Sequence, residues 1–141
     1  MRILFVEDLS PYSKSLTDFF GESGHNSDIA IDISRAMDFL DTNTYDILIV
    51  DMNMRTTGLT GDQKILTKTG LGTGWIWLRD IIYPKYPNLK DRTVILTAYT
   101  RDIEEKLTNL YNEIINNKIP FLSKSLSFKT ILSETERRHH N

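Results

Sequence analysis

Short unbroken apolar runs alternate along this chain with longer stretches whose apolar positions recur every three or four residues. Residues 3–6 (Ile-Leu-Phe-Val) form the first run, the pattern of a strand buried on both faces. Ser10-Pro11 then offers a capping oxygen and a first-turn proline, and Leu16, Phe19 and Phe20 share one helical face before Gly21 and Gly24 end it. Residues 27–31 predict a weaker strand. Ser34 is placed to cap a helix bearing Ala36, Met37, Phe39 and Leu40, and residues 45–50 give the strongest strand signal.

The alternation continues after Gly74. A helix carries Trp75, Trp77, Leu78, Ile81 and Ile82, with Pro84 and Pro87 as its stop, and residues 93–96 predict another strand. Residues 103–115 form a helix with Leu107, Leu110, Tyr111, Ile114 and Ile115 on its buried face. Residues 119–122 make a short strand, and a polar helix over 128–138 closes the pattern. Five β-α units in strict alternation imply a parallel sheet with helices on both faces. One segment breaks the rhythm: residues 52–73, rich in Thr, Gly and Lys, exceed the usual length of a connection in a compact domain. Thr57-Gly58-Leu59 and Thr69-Gly70-Leu71 echo each other around Ile65-Leu66-Thr67, which would allow a small hairpin.

Composition narrows the class. At 141 residues, 40% hydrophobic and 26% charged, the chain matches one ordinary globular domain, 1–141. A net charge of -2 gives no broad basic field for nucleic acid or a membrane surface. The absence of cysteine excludes disulfides, thiolate metal sites and cysteine nucleophiles. No apolar stretch is long enough to span a bilayer and residues 1–6 are too short for a signal peptide, so the expected compartment is cytoplasmic. His25, His139 and His140 lack metal or relay spacing, and the Arg137–His140 tail is expected to be a solvated helix end.

The polar residues that end the apolar runs carry the chemistry. Glu7 and Asp8 follow the first strand, Asp51 the third, Thr97 the fourth and Lys124 the fifth. In a parallel sheet all of these emerge at the carboxyl edge, where open α/β sheets bind ligands. A carboxylate there can accept a phosphoryl group, and Asp51, on the best-buried strand, is the candidate nucleophile. Catalysis of such a transfer is mostly positioning and charge stabilisation. Three clustered acids repel unless a cation is present. Mg²⁺ suits oxygen ligands, with Asp8 and Asp51 as direct ligands and Glu7 acting directly or through water. Lys124 supplies a positive charge for the phosphoryl oxygens, and the Thr97 hydroxyl a hydrogen bond.

Through Ile3-Leu4-Phe5-Val6-Glu7-Asp8, Tyr45-Asp46-Ile47-Leu48-Ile49-Val50-Asp51, Val94-Ile95-Leu96-Thr97-Ala98 and Phe121-Leu122-Ser123-Lys124, the chain resembles the receiver domain of two-component response regulators. The resemblance implies a flavodoxin-like (βα)5 fold of strand order 2-1-3-4-5. It implies that Asp51 receives a phosphoryl group from a histidine kinase or phosphotransfer protein, with self-phosphorylation and self-dephosphorylation as the only chemistry. Asn53 would lend its backbone carbonyl to Mg²⁺, Thr97 would be the switch hydroxyl, and Ala98 would keep access to Asp51 open. Phe121 stands at the switch-aromatic position, whose inward turn redirects partner binding on the face formed by helix four, strand five and helix five. Asn53 and Tyr99 flank the access route and would tune phosphoryl lifetime.

The departures from the family pattern are specific. Arg55 replaces a proline after Met54, and the following loop runs roughly 15 residues longer than usual. It is expected to be a mobile recognition loop in preference to a catalytic lid, and its glycines at 70, 72 and 74 are read as flexibility, since they fit no phosphate-binding fingerprint. Ser125 replaces the proline after Lys124, so the Lys124-Ser125 bond is expected to be trans. Ile76 falls where the family is usually polar and would join a contact patch. With no residues left for an output domain, the chain is expected to be a stand-alone receiver, monomer or weak dimer, with a downstream protein partner. The alternative is a phosphorylation-independent pseudo-receiver acting as an interaction module. A haloacid-dehalogenase-like phosphatase is disfavoured because Asn53 stands where its second acid belongs.

Overall fold

The computed structural model describes residues 1–8, 10–54, 72–98 and 105–140. Among them run five strands and five principal helical segments. These are β1 (Arg2–Val6), α1 (Pro11–Glu22), β2 (Asn26–Ala30), α2 (Ile33–Thr42) and β3 (Ile47–Asp51), then α3 (Thr73–Trp77), β4 (Thr93–Thr97), α4 (Glu105–Asn116), β5 (Phe121–Ser123) and α5 (Phe128–His140). The strands form one sheet of order β2-β1-β3-β4-β5 with every pairing parallel. Val6 stands beside Val50, Asp51 beside Leu96, and Thr97 beside Ser123. The register therefore brings the ends of β1, β3, β4 and β5 to one edge.

Period-two alternation explains why whole strands read as apolar. Leu4, Val6, Leu48, Val50 and Ile95 point into a core shared with Ala36 and Leu40 of α2, Trp75 and Trp77 of α3, and Ile114 of α4. Ile3, Phe5, Ile47, Ile49, Val94 and Leu96 point the other way, onto Leu16 and Phe20 of α1 and Ile131 and Leu132 of α5. With both faces covered, every side chain of β3 and β4 is buried. The Phe5 and Phe20 rings meet edge to face at 5.4 Å and tie β1 to α1.

Local signals set the helix starts. Ser10 caps α1: its hydroxyl accepts from the Ser13 amide, while the Ser13 hydroxyl accepts from the Ser10 amide and donates to the Asp8 carbonyl. In α2 the cap is Asp32, whose carboxylate accepts from the Arg35 amide at 2.8 Å, and Ser34 lies inside the first turn. This corrects the expected Ser34 cap. The extended backbone of Asp32 puts its oxygen within reach of the exposed first-turn amides, a geometry lost once the chain turns helical at residue 33.

Beyond α3 the helix does not stop at Pro84. It continues through a π-helical turn, Leu78–Ile82, into Tyr83–Lys85, and a 3₁₀ segment follows over Pro87–Arg92. The Tyr83 amide reaches back to the Leu78 carbonyl, one residue further than in an α-helix. Pro84 has no amide to donate and its ring crowds the carbonyl four residues back, so a widened turn there lets the helix pass through it. The helix that precedes β4 thus passes Pro84 by one residue and ends between the two prolines, with Pro87 opening the 3₁₀ segment.

Two apolar positions differ from expectation. Ile76 is buried, as are its sequence neighbours Trp75 and Trp77, so it offers nothing to a contact patch. Ile115 is 49% exposed, whereas Ile114 is fully buried. Adjacent helical residues point about 100° apart, so the two isoleucines cannot both face the sheet. Ile103 and the side chain of Leu107 lie outside the described residues, as do residues 55–71 with the hairpin and recognition loop expected there. Among the described residues no helix is long and apolar enough to cross a membrane.

Candidate functional site

Glu7, Asp51 and Lys124 converge at the carboxyl edge of the sheet. The Lys124 ammonium donates to Glu7 Oε1 at 2.6 Å and to Asp51 Oδ2 at 2.9 Å. Parallel strands put it there. Glu7 follows β1, its amide held by the Ala30 carbonyl, Asp51 ends β3, and the Lys124 amide donates to the Thr97 carbonyl at 2.8 Å. The Glu7 side chain is 3% exposed, that of Asp51 10% and that of Lys124 19%. One lysine thus spans two acids almost removed from water.

The charges press on each other. Burial pushes the Glu7 carboxyl above its ordinary value; the Lys124 contact pulls it down, and the nearby Asp51 and Asp8 charges raise it further. Burial likewise lifts Asp51, opposed by a hydrogen bond from the Asn53 amide and by Lys124, and reinforced by Asp8. Burial works against the Lys124 charge, yet its bonds to Glu7 and Asp51 outweigh that and leave its ammonium held above the usual lysine range. Three acids and one lysine leave an excess of negative charge at this edge.

The remaining expected residues gather around this core. Asp8 is half-buried beside Glu7. Thr97 is buried at the end of β4, in register with Ser123, and Ala98 beyond it is exposed. The Asn53 amide donates to Asp51 Oδ1 at 3.0 Å, while its side-chain oxygen accepts from the Gly72 amide at 3.0 Å. Asn53 therefore joins the end of β3 to the start of α3, and the Gly74 amide adds a second tie to the Met52 carbonyl. Phe121 is half-buried on β5, edge to face with Tyr111 of α4 at 4.8 Å. Tyr99 lies outside the described residues. The Lys124-Ser125 peptide is trans, and Ser123 holds the turn that follows, its hydroxyl accepting from the Ser125 amide at 3.1 Å.

One residue of the site was misread in the sequence and another went unread. A Cβ on Gly74 would fall 2.0 Å from the Asp51 carbonyl oxygen, so this glycine is required by close approach of α3 to β3. That corrects its reading as a flexible residue. Tyr12, the second residue of α1, places its ring 5.3 Å from the Lys124 ammonium. Nothing local marks Tyr12, since the contact joins residues 112 positions apart; a glycine at a helix start was the only signal for Gly74.

The donor set fits a hard divalent cation: carboxylates and carbonyls only, with excess negative charge. Among the described residues no three acid or histidine side chains are spaced as a ready metal cluster. Mg²⁺ often uses only one or two carboxylates plus water and phosphate, so such a cluster is not required.

Comparison with known proteins adds the fold. No family model and no curated sequence matches this chain. Among solved structures, a two-component response regulator from Clostridium difficile is 17% identical with a TM-score of 0.69, covering 100% of this chain and 97% of its own. A CheY-like receiver domain protein from Methanospirillum hungatei is 14% identical with a TM-score of 0.67, covering 99% and 93%. This chain has the receiver fold. The Francisella response regulator 1452 receiver domain is a further neighbour, 18% identical at a TM-score of 0.63, covering 99% and 96%. The receiver fold accounts for the flavodoxin-like strand order and for helices on both faces.

Proposed function

We propose that this chain is a phospho-accepting receiver and that Asp51 is its acceptor. The observation that carries the reading is the Lys124 ammonium bonded to both Asp51 and Glu7 at the carboxyl edge. A histidine kinase or phosphotransfer protein is the donor. An Asp51 oxygen forms the new P–O bond as the P–N bond of a phosphohistidine breaks, and the electron pair returns to the imidazole nitrogen, which takes up a proton. Lys124 then exchanges a carboxylate partner for a phosphoryl oxygen, and Thr97 and Ala98 flank the group. Glu7, Asp8, Asp51 and the Asn53 carbonyl would hold Mg²⁺, which when bound supplies charge against the developing phosphoryl oxygens.

The output is a change of protein partner. Phe121 and Tyr111 already pack together between β5 and α4, so a shift of Thr97 toward the phosphoryl group would bias that pair and the surface around it. The lack of a broad basic field argues against nucleic acid as the partner, and the cytoplasm is the compartment that suits a kinase-fed domain.

Intact mass after incubation with acetyl phosphate, with and without Mg²⁺, tests the reading. A single Mg²⁺-dependent phosphoryl adduct is expected in the native chain and absent in Asp51→Asn. No adduct, under conditions that modify a control receiver, would overturn it. The same Lys124 bridge favours a second reading, a phosphorylation-independent module whose Glu7 and Asp51 are held by its own lysine, and that outcome would select it.

A further inference from the structure

Tyr12 belongs to the acid site through its ring. Lys124 Nζ lies 5.3 Å from the ring centroid while bonded to Glu7 and Asp51, within the reach of a cation–π attraction. The ring is itself held by a second aromatic contact. It meets Phe128, at the start of α5, edge to face at 5.6 Å, and Phe128 packs in turn against Phe19 of α1 at 5.9 Å. The hydroxyl is buried and has no hydrogen-bond partner among the described residues. Burial and the Glu7 charge push the phenol up to about 12, so it stays neutral at physiological pH. Whatever Tyr12 does at this site is done by its aromatic face.

We propose that Tyr12 is a positioning residue whose aromatic ring, braced by Phe128, holds the Lys124 ammonium between Glu7 and Asp51. A lysine side chain has four rotatable bonds and three donors, and two acids fix only part of that freedom. The ring adds a third, non-titrating contact that costs no charge and fixes the approach of the ammonium. It also makes the lysine's position depend on where α1 and α5 meet. The inference deepens the receiver reading, because the lysine it places is the one expected to meet the phosphoryl group.

The test reads the lysine without a phosphodonor, so it stands apart from whether Asp51 is phosphorylated. Amine acetylation by acetic anhydride at neutral pH, followed by peptide mass spectrometry, gives the reactivity of Lys124 relative to exposed Lys14 and Lys129. Tyr12→Phe keeps the ring and is expected to leave Lys124 as unreactive as in the native chain. Tyr12→Leu is expected to raise its relative reactivity roughly three- to thirty-fold, the range of a partly desolvated cation–π contact. Tyr12→Met has a similar volume to Leu in a longer, more adaptable side chain without a ring and should behave like Leu, which covers the case of a poorly folded Leu variant. Equal Lys124 reactivity in folded Phe and Met variants would overturn the proposal, as would a rise in the Phe variant. If the native chain forms the acetyl phosphate adduct, its rate should fall with Leu or Met and hold with Phe.

Discussion

Gly74→Ala tests how tightly α3 is drawn onto the end of β3. The added methyl would sit 2.0 Å from the Asp51 carbonyl oxygen, 3.0 Å from its carbon and 3.1 Å from Val50 Cγ1. An unstrained carbon–oxygen contact lies near ~3.3 Å, so backbone must move by about 1 Å. Both sides resist. β3 is fully buried, and the Gly74 amide is bonded to the Met52 carbonyl at 3.0 Å. Overpacking of this kind costs about 3 kcal/mol when the obstacle is backbone, and alanine's better helix propensity returns about 1 kcal/mol. The net loss is about 2 kcal/mol. For 141 residues the unfolding entropy is about 0.3 kcal/mol per kelvin, so Tm should fall by roughly 7 °C. Thermal and urea unfolding followed by circular dichroism read this directly. The carbonyl displaced is that of Asp51, so the hydrogen bond from Asn53 should loosen with it and any phosphoryl adduct should form more slowly. A variant as stable as the native chain, or more so, would refute the close-approach argument and return Gly74 to a merely permissive role.

Lys124→Met strands two buried carboxylates and should cost about 3 kcal/mol at pH 7. Because Glu7 and Asp51 are already raised by burial and lose their cation, the deficit should shrink as pH falls and both protonate; urea melts at pH 7 and pH 4.5 check this, and a pH-independent deficit would count against it. Asp51→Asn works in the opposite sense. A carboxyl raised in the folded state contributes stability below its unfolded pKa that is lost as pH rises through the folded one. The Asn variant should therefore be more stable than the native chain at pH 7, with the gap closing below about pH 4, and a less stable variant at pH 7 contradicts the sign. Asp32→Ala should cost about 1 kcal/mol as the true cap of α2, while Ser34→Ala stays within about 0.5 kcal/mol; the reverse order in equilibrium unfolding would restore Ser34.

What could be read from the chain followed from local repetition. Four-residue apolar runs marked buried strands because a strand covered on both faces has no polar side. Ser10-Pro11 marked a helix start because capping needs only residues three apart. Errors arose where neighbours in sequence compete for one outcome. Asp32 and Ser34 are both good caps, and the backbone extended at Asp32 decided between them. Ile114 and Ile115 are equally apolar, and helix rotation let one reach the sheet. Ile76 looked exposed only by analogy, and the fold buries it. Pro84 and Pro87 looked like a stop, and a π-turn carried the helix one residue past the first before it ended ahead of the second.

The candidate site divides in the same way. The sequence by itself determined that acids, a hydroxyl and a lysine would leave one sheet edge, because parallel alternation sends the end of every strand to the same side. Only the tertiary structure decided which of them touch. It put Lys124 on Glu7 and Asp51, Asn53 on Asp51 and Gly72, Gly74 against the Asp51 carbonyl and Tyr12 beneath the ammonium. Contact between residues more than a hundred positions apart depends on register, helix approach and side-chain reach together. No local pattern encodes that sum, because each is fixed only when the whole sheet and both helical layers close around it.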